Sequence, residues 1–451
     1  MTLLKRLVLP LFLFVVFAVP VRAMDIERVV SPGGIEAWLV RDKMLPVLAL
    51  EFSFRGGSAL DPEGKEGRSV MAMNLLTEGA GDLDSQAFAG QLEDRAISMD
   101  FNAGADSLQG SLKTLNEHRD TAIDLLRLAM TKPRFDAADV ERVRASTLAG
   151  IARDNENPNY IARRTWMSAA FPDHPYGRPS RGTKESVTGL AEADFRTVVA
   201  QRLARDNLIV GAVGDITPDE LGKVLDRAFG DLPAQSAPGD VPEVKPAGGG
   251  RSIVIRRPIP QSFIVLGQQG VKRDDPDWFA ASLVNYVLGG GGFNSRLMEE
   301  VREKRGLTYG IYTALAPFDR AGLLLGSSST ENTRAGRALE ITRQVWTQMH
   351  EQGPTDEELA NAKKYLTGSF ALSLDSTNAI ARTLVSVQYD KLGINYLNER
   401  DGLINRVTLD DAKRVAKRLL DPATLLTVVV GQPEGISPTD SNTTKPTSGG
   451  G

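Results

Sequence analysis

Arg302 and Tyr309 set a guanidinium and a phenol close together in sequence, and both groups can donate hydrogen bonds to an oxygen that gains negative charge. The bland reading of the same pair is an ion pair of Arg302 with a glutamate such as Glu299, and half-buried sheet packing of Tyr309. Upstream, Gly289, Gly290, Gly291 and Gly292 permit backbone conformations and close approaches that other residues resist, which suits a mobile loop lining a cleft. The run is not a phosphate loop, because G-x-x-x-x-G-K-[ST] is absent. Metal chemistry finds few candidates. The histidines are His118, His174 and His350, and none has a second histidine or a carboxylate at H-x-x-E-H or H-x-x-x-H spacing. The chain contains no cysteine, so thiol nucleophiles, disulfides and thiolate ligands are excluded. No Ser/His/Asp order or paired-carboxylate motif stands out.

The elements that hold the Arg/Tyr pair are legible. Asn294 or Ser295 can cap a helix ending at Arg305, with Leu297 and Val301 on its inner face and Gly306 suited to the left-handed residue that closes it. Arg302 then lies in the last turn, and Tyr309 opens an extended segment, residues 308–315.

Self-comparison shows a duplication. L-A-E-A-D-F-R-T-V-V-A-Q-R-L (190–203) leads into L-I-V-G-A-V-G (208–214), an amphipathic helix before a buried strand. V-T-L-D-D-A-K-R-V-A-K-R-L (407–419) and L-L-T-V-V-V-G (425–431) repeat it, with Asp194 set against Asp410 and Arg202 against Arg418. Segments 133–144 and 353–363 are each a turn into a long helix, and strands 47–54 and 262–267 open the two halves. Strands and long helices alternate irregularly, which predicts an α+β fold of two homologous domains, each a sheet with helices on one face. The expected divisions are an N-terminal domain at 24–233, a Pro/Gly-rich linker at 234–250, a C-terminal domain at 251–432 and a disordered tail at 433–451.

With 53 basic and 57 acidic residues spread along the chain, no basic stripe offers itself to nucleic acid and no polybasic patch to a membrane. Residues 1–23 read as a cleavable export signal: Lys5 and Arg6, an apolar run at 7–19, then Val21, Arg22 and Ala23 before Met24. The apolar run falls short of the roughly 20 residues that span a bilayer, so a periplasmic protein without a stable membrane anchor is expected.

Three motifs in order resemble the insulinase/pitrilysin-type metallopeptidases, the inverted H-x-x-E-H enzymes. G-S-A-L-D-P-E-G-K-E-G (57–67) is similar to the turn before that family's zinc helix, and H-P-Y-G-R-P (174–179) with Gly182-Thr183 is similar to a family loop. G-G-G-G-F-N-S-R-L-M-E-E-V-R-E-K-R-G-L-T-Y (289–309) resembles the family's glycine loop, helix and Arg/Tyr pair. The segment G-R-S-V-M-A-M-N-L-L-T-E-G-A (67–80) keeps the frame of G-x-x-H-x-x-E-H-x-x-x-x-G-[TA] without its chemistry. Val70 and Asn74 stand at the histidine positions, Met73 at the general base and Gly150 where a third ligand would fall; Val70 and Met73 are expected to fill the space as core. The resemblance implies a chain with no zinc of its own, paired with a homologous zinc-bearing chain that keeps H-x-x-E-H. Arg302 and Tyr309 would then contact the carbonyls of a peptide substrate, and the glycine loop would help admit it. A structural or chaperone-like scaffold is the alternative.

Overall fold

The computed structural model describes residues 24–237 and 239–439. The expected export signal at 1–23 and the end of the expected tail, 440–451, lie outside the described residues. The N-terminal half comprises strands β1 (Glu27–Val30), β2 (Glu36–Arg41), β3 (Val47–Arg55), β4 (Ser98–Ala103), β5 (Ser107–Leu115) and β6 (Leu208–Gly214). Its helices are α1 (Arg68–Asn74), α2 (Ser85–Glu93), α3 (Arg119–Thr131), α4 (Ala137–Glu156), α5 (Pro158–Ala170), α6 (Lys184–Thr188), α7 (Glu192–Arg202) and α8 (Pro218–Phe229). The sheet order is β1-β2-β6-β3-β5-β4, antiparallel except where β2 meets β6.

The C-terminal half repeats that connectivity with β7 (Ser252–Arg256), β8 (Gln261–Gln269), β9 (Ile311–Pro317), β10 (Gly322–Glu331) and β11 (Leu426–Gly431) in the order β7-β11-β8-β10-β9. Again one pair, β11 with β7, is parallel. Its helices are α9 (Trp278–Asn285), α10 (Ala335–Gln352), α11 (Asp356–Gly368), α12 (Thr377–Tyr389), α13 (Tyr396–Arg406) and α14 (Leu409–Leu419). The fold is therefore α+β with two homologous domains. The duplicated helices align one residue away from the sequence pairing. Asp194 of α7 and Asp411 of α14 both accept the backbone N–H of their N-cap residue, from Ala191 at 2.8 Å and Thr408 at 3.0 Å. Asp411, not Asp410, is thus the partner of Asp194, because the capping geometry admits a carboxylate only at the third helical position.

Alternation along β3 decides which side faces which layer. Leu48, Leu50, Phe52 and Phe54 enter the N-terminal core, while Glu51, Ser53 and Arg55 face the other way. That outer face does not meet solvent throughout, as a sheet covered on one side would. Helix α12 of the C-terminal half lies across β6 and β3, packing Ala381, Leu384 and Val387 on Trp38 and Val213. Reciprocally, α5 of the N-terminal half lies on β11 and β8, where Trp166 is 1% exposed and donates to the Leu426 carbonyl at 3.0 Å. Each half thus covers the other's sheet with one of its own helices. The connecting segment is packed as well: Val241 is buried and the Val244 N–H donates to Arg320 O at 3.0 Å. Residues 433–439, placed by the sequence in the disordered tail, lie against α10 and β7, with Gly336 N–H donating to Glu434 O at 3.0 Å and Thr439 N–H to Ser252 O at 2.9 Å.

Candidate functional site

A buried polar knot builds the turn before α1. Asp61 accepts from the Ser69 hydroxyl at 2.5 Å, the Ser69 N–H at 3.0 Å and Arg202 at 3.3 Å. Arg202 also donates to the carbonyls of Gly57 (2.9 Å) and Leu60 (2.7 Å), and burial pulls its guanidinium down to about 10. Gly67 and Gly182 cross at positive φ, +90° and +88°; a Cβ on either would lie within 2.5 Å of a backbone oxygen of the other's loop. That crossing joins the motif at 57–67 to the one at 174–183.

On α1, Met73 is 1% exposed within the core, as expected. Val70 is only half-buried and outside that core, because the α1 face carrying Val70 and Asn74 turns outward, leaving Asn74 exposed. Gly150 is buried on α4, which packs against α1, so the helices of the metal frame are in place. The space beside Gly150 belongs to a cation: a Cβ there would sit 3.5 Å from Arg181 Nη1, which pairs with Asp154 at 2.5 Å. Valine, methionine, an exposed amide and a glycine beside a guanidinium do not fit a zinc ion. Among the described residues no group of three or more His, Asp or Glu side chains is arranged to hold a metal. His174 serves structure instead: its Nε2–H donates to Pro242 O at 2.9 Å and its Nδ1 accepts from Tyr176 N–H at 3.2 Å.

The glycine run is wound into the chain as a wide helical turn over Tyr286–Gly290, closed by Gly291 N–H donating to Tyr286 O at 2.8 Å. Gly289 is pressed on Thr313, where a Cβ would fall 2.6 Å from the hydroxyl oxygen; Gly292, at φ +56°, has open space. Ser295, at φ −97° and ψ 149°, stands at the N-cap position of the next helix, where its carbonyl accepts from Glu299 N–H at 3.0 Å while its hydroxyl donates back to Gly292 O at 2.7 Å. Leu297 and Val301 face inward, and Gly306 at φ +59° closes the turn, with Gly306 N–H bonded to Arg302 O (2.8 Å) and Leu307 N–H to Val301 O (3.0 Å). Arg302 pairs with Glu303, rather than Glu299, and lies 4.6 Å over the Phe293 ring. Tyr309 is 78% exposed rather than half-buried, and its hydroxyl has no partner among the described residues. It precedes β9, the outer strand of its sheet, whose Ile311 N–H donates to Met298 Sδ at 3.4 Å.

A feature unread in the sequence lies between the halves, a cavity of ≈ 1400 Å³. Its floor is the outer face of β3, β5 and β4, with α12 and the β9–β10 turn as walls. One end is closed by two interlocked Asp–Tyr pairs. Tyr176 donates to Asp106 at 2.6 Å, Tyr389 to Asp319 at 2.8 Å and to Asp106 O at 3.0 Å, and Asp319 N–H to Asp106 at 3.0 Å. Burial raises the Asp106 carboxyl above the carboxylate range and pushes both phenols up, so each phenol stays a donor. Asp319 follows Asp106 by the same interval that separates Tyr389 from Tyr176, a signal that self-comparison could have found.

A family model described as Insulinase (Peptidase family M16) matches residues 41–184, and one described as Peptidase M16 inactive domain matches residues 190–366. A protein of Helicobacter pylori named a non-peptidase homolog is 26% identical over 407 residues, covering 90% of this chain and 94% of its own. An uncharacterized zinc protease of Streptomyces coelicolor is 26% identical over 415 residues, covering 90% and 89%. A crystal structure titled peptidase M16 inactive domain, from Pseudomonas fluorescens, superposes with a TM-score of 0.85 at 29% identity, covering 92% of this chain and 99% of that one.

Proposed function

The chain belongs to the M16 insulinase family, and from that premise we propose that it is the non-catalytic, substrate-binding subunit of an exported two-chain zinc peptidase acting on peptides or unfolded segments. Zinc and general base come from a homologous partner with an intact H-x-x-E-H, since Val70, Met73, Asn74 and Gly150 supply neither. Residues 1–23 direct the chain to the periplasm, where the pair assembles. The observation that carries the reading is Tyr309: a phenol 78% exposed, with no partner among the described residues, has no structural task there to explain its hydroxyl. A free strand edge supports it too. β4 is the outer strand of its sheet, pairs only with β5 among the described residues, and has α1 packed against it, so an extended peptide can add there through backbone hydrogen bonds. Arg302 and Tyr309 then donate to substrate carbonyls beside the partner's metal.

The experiment is peptide hydrolysis by the reconstituted pair, with assembly followed by size-exclusion chromatography. Losing one preorganised oxyanion donor costs about 10²- to 10³-fold in rate, so Tyr309→Phe is expected to assemble normally and lose turnover on that scale, as is Arg302→Ala. The alternative, a scaffold without a part in cleavage, is favoured by one observation: Arg302 is already committed to Glu303 and Phe293. Wild-type turnover in both variants would establish the scaffold.

A further inference from the structure

The floor of the cavity between the halves is polar where packing alone does not require it. In register across three strands lie Asp100, Ser111 and Glu51, and beside them Asn102, Gln109 and Ser53. The duplicated half provides the comparison. Pairing on β8, β10 and β9 sets Val265, Ser327 and Tyr312 in the first row and Gly267, Leu325 and Ala314 in the second. The same scaffold thus takes valine where Glu51 stands and tyrosine where Asp100 stands.

Glu51 is 8% exposed, yet its negative charge is poorly matched. Asn378 at 3.4 Å and Arg382 at 3.3 Å both approach one oxygen, and the other accepts nothing from the described residues. The Arg382 side chain is itself 72% exposed, so the one cation on Glu51 among the described residues hangs from the solvent side. Asp100 has no ion pair among the described residues and adds repulsion. The next side chain on this face of β3, Ser53, is 1% exposed, and its hydroxyl has no hydrogen-bond partner among the described residues. The cations of the opposite wall are engaged: Lys272 with Glu243 at 2.8 Å, Arg273 with Asp390 at 3.6 Å, and Arg320 with Asp240 at 3.0 Å. Lys391 also lines the cavity, and Arg55, on the same face of β3 as Glu51, donates to the Tyr389 carbonyl and lies 4.1 Å over its ring.

We propose that this cavity is a binding site for a cationic group, an alkylammonium or guanidinium, that seats on Glu51 and Asp100 in place of Arg382. A buried carboxylate whose ion-pair partner is an exposed arginine, with the exposed Asp100 two strands away, attracts such a group, and Ser53, Asn102 and Gln109 provide neutral polar atoms around it. The cation can be a free small molecule or the basic side chain of a peptide laid along the adjoining β4 edge. The inference is independent of the roles given to Arg302 and Tyr309.

Isothermal titration of the purified mature chain tests it with N-acetyl-arginine amide, its norleucine counterpart, and an acetylated, amidated alanine heptapeptide with a central arginine. Saturable binding of the arginine amide, absent for norleucine and weakened at least tenfold in Glu51→Gln, is expected. Asp100 is exposed on an edge strand, so Asp100→Asn keeps the fold and is expected to weaken binding severalfold, a test that stands even if Glu51→Gln unfolds. A heptapeptide that binds tenfold tighter than the amide assigns the cation to a peptide side chain; equal affinity assigns it to a small molecule. Failure of both cationic probes to saturate, or equal binding by norleucine or by both variants, overturns the proposal.

Discussion

Glu51 concentrates the tension between burial and charge at single-residue scale. Burial is the main cause that holds its carboxyl above the usual range, against the pull of Arg382, and Asp100 pushes the same way as burial. The sign of the stability effect follows from linkage. In the unfolded chain the group ionises near its ordinary value of about 4.3, whereas in the folded chain it keeps its proton to higher pH. Below the ordinary value both states are neutral and the residue costs nothing. As pH rises between the two values the unfolded state gains the advantage, and the cost persists at neutral pH. Glu51→Gln removes that titration while keeping size and an acceptor oxygen. Thermal melts at a series of pH values are therefore expected to show the variant more stable than wild type at pH 7.5, with the gap closing toward pH 4. A gap that widens as pH falls would mean that Glu51 is stabilised as a carboxylate in the fold.

At the scale of elements, approach distances matter more than propensities. Gly211 in β6 lies under α12 so closely that a Cβ would stand 2.5 Å from the Ala381 carbonyl oxygen, a backbone atom that cannot swing away. Gly211→Ala is expected to cost about 1–3 kcal/mol, the usual range for overpacking. Gly90→Ala, in helix α2 with open space around it, is expected to gain about 0.5–1 kcal/mol from helix propensity. Denaturant midpoints of the two variants check the contrast, and a neutral Gly211→Ala would mean that α12 can lift from the sheet. Much at this scale was legible in the sequence. Strand alternation, the paired helix-then-strand units and the glycine that closes the Arg302 helix depend on neighbours a few residues apart, which a linear reading sees. The exchanged helices were not legible. The apolar residues of α5 and α12 look the same whether they meet their own sheet or the other half's, and only the tertiary structure says which. Tyr309 was misjudged in one of its two readings for a similar reason, since an aromatic beside a strand start fits packing and exposure equally well. The cavity floor escaped because S-M-D-F-N-A and S-L-Q-G-S-L read as ordinary half-solvated strands, and the wall that encloses them lies more than two hundred residues onward.

The whole molecule is held together by reciprocity. Each sheet has its own helices on one face and a borrowed helix on the other, and the two Asp–Tyr pairs clasp the junction at one end. Separation would bare Trp38 and Val213 on one sheet, and Val265, Val428 and Val430 on the other, together with Trp166 and Phe171 of the α5 region. Burial of one large apolar side chain is worth about 1.5–3 kcal/mol, so several such losses reach the size of a domain's whole stability, about 5–15 kcal/mol. The halves therefore form one cooperative unit despite their duplication. Residues 24–237 and 238–439, produced as separate chains, are each expected to lack a sharp thermal transition and a near-ultraviolet dichroism signal. Mixed, the two chains are expected to recover both, because the exchanged helices need no covalent connection to dock. The control is the uninterrupted 24–439 chain with Trp166→Ala, which leaves the connection whole and removes the largest side chain of the α5 contact; it is expected to lose about 3–5 kcal/mol while keeping a single transition. An isolated N-terminal half that melts cooperatively at the temperature of the intact chain would show that the borrowed helix contributes little, and that the two halves are joined only by the connecting segment and the clasp.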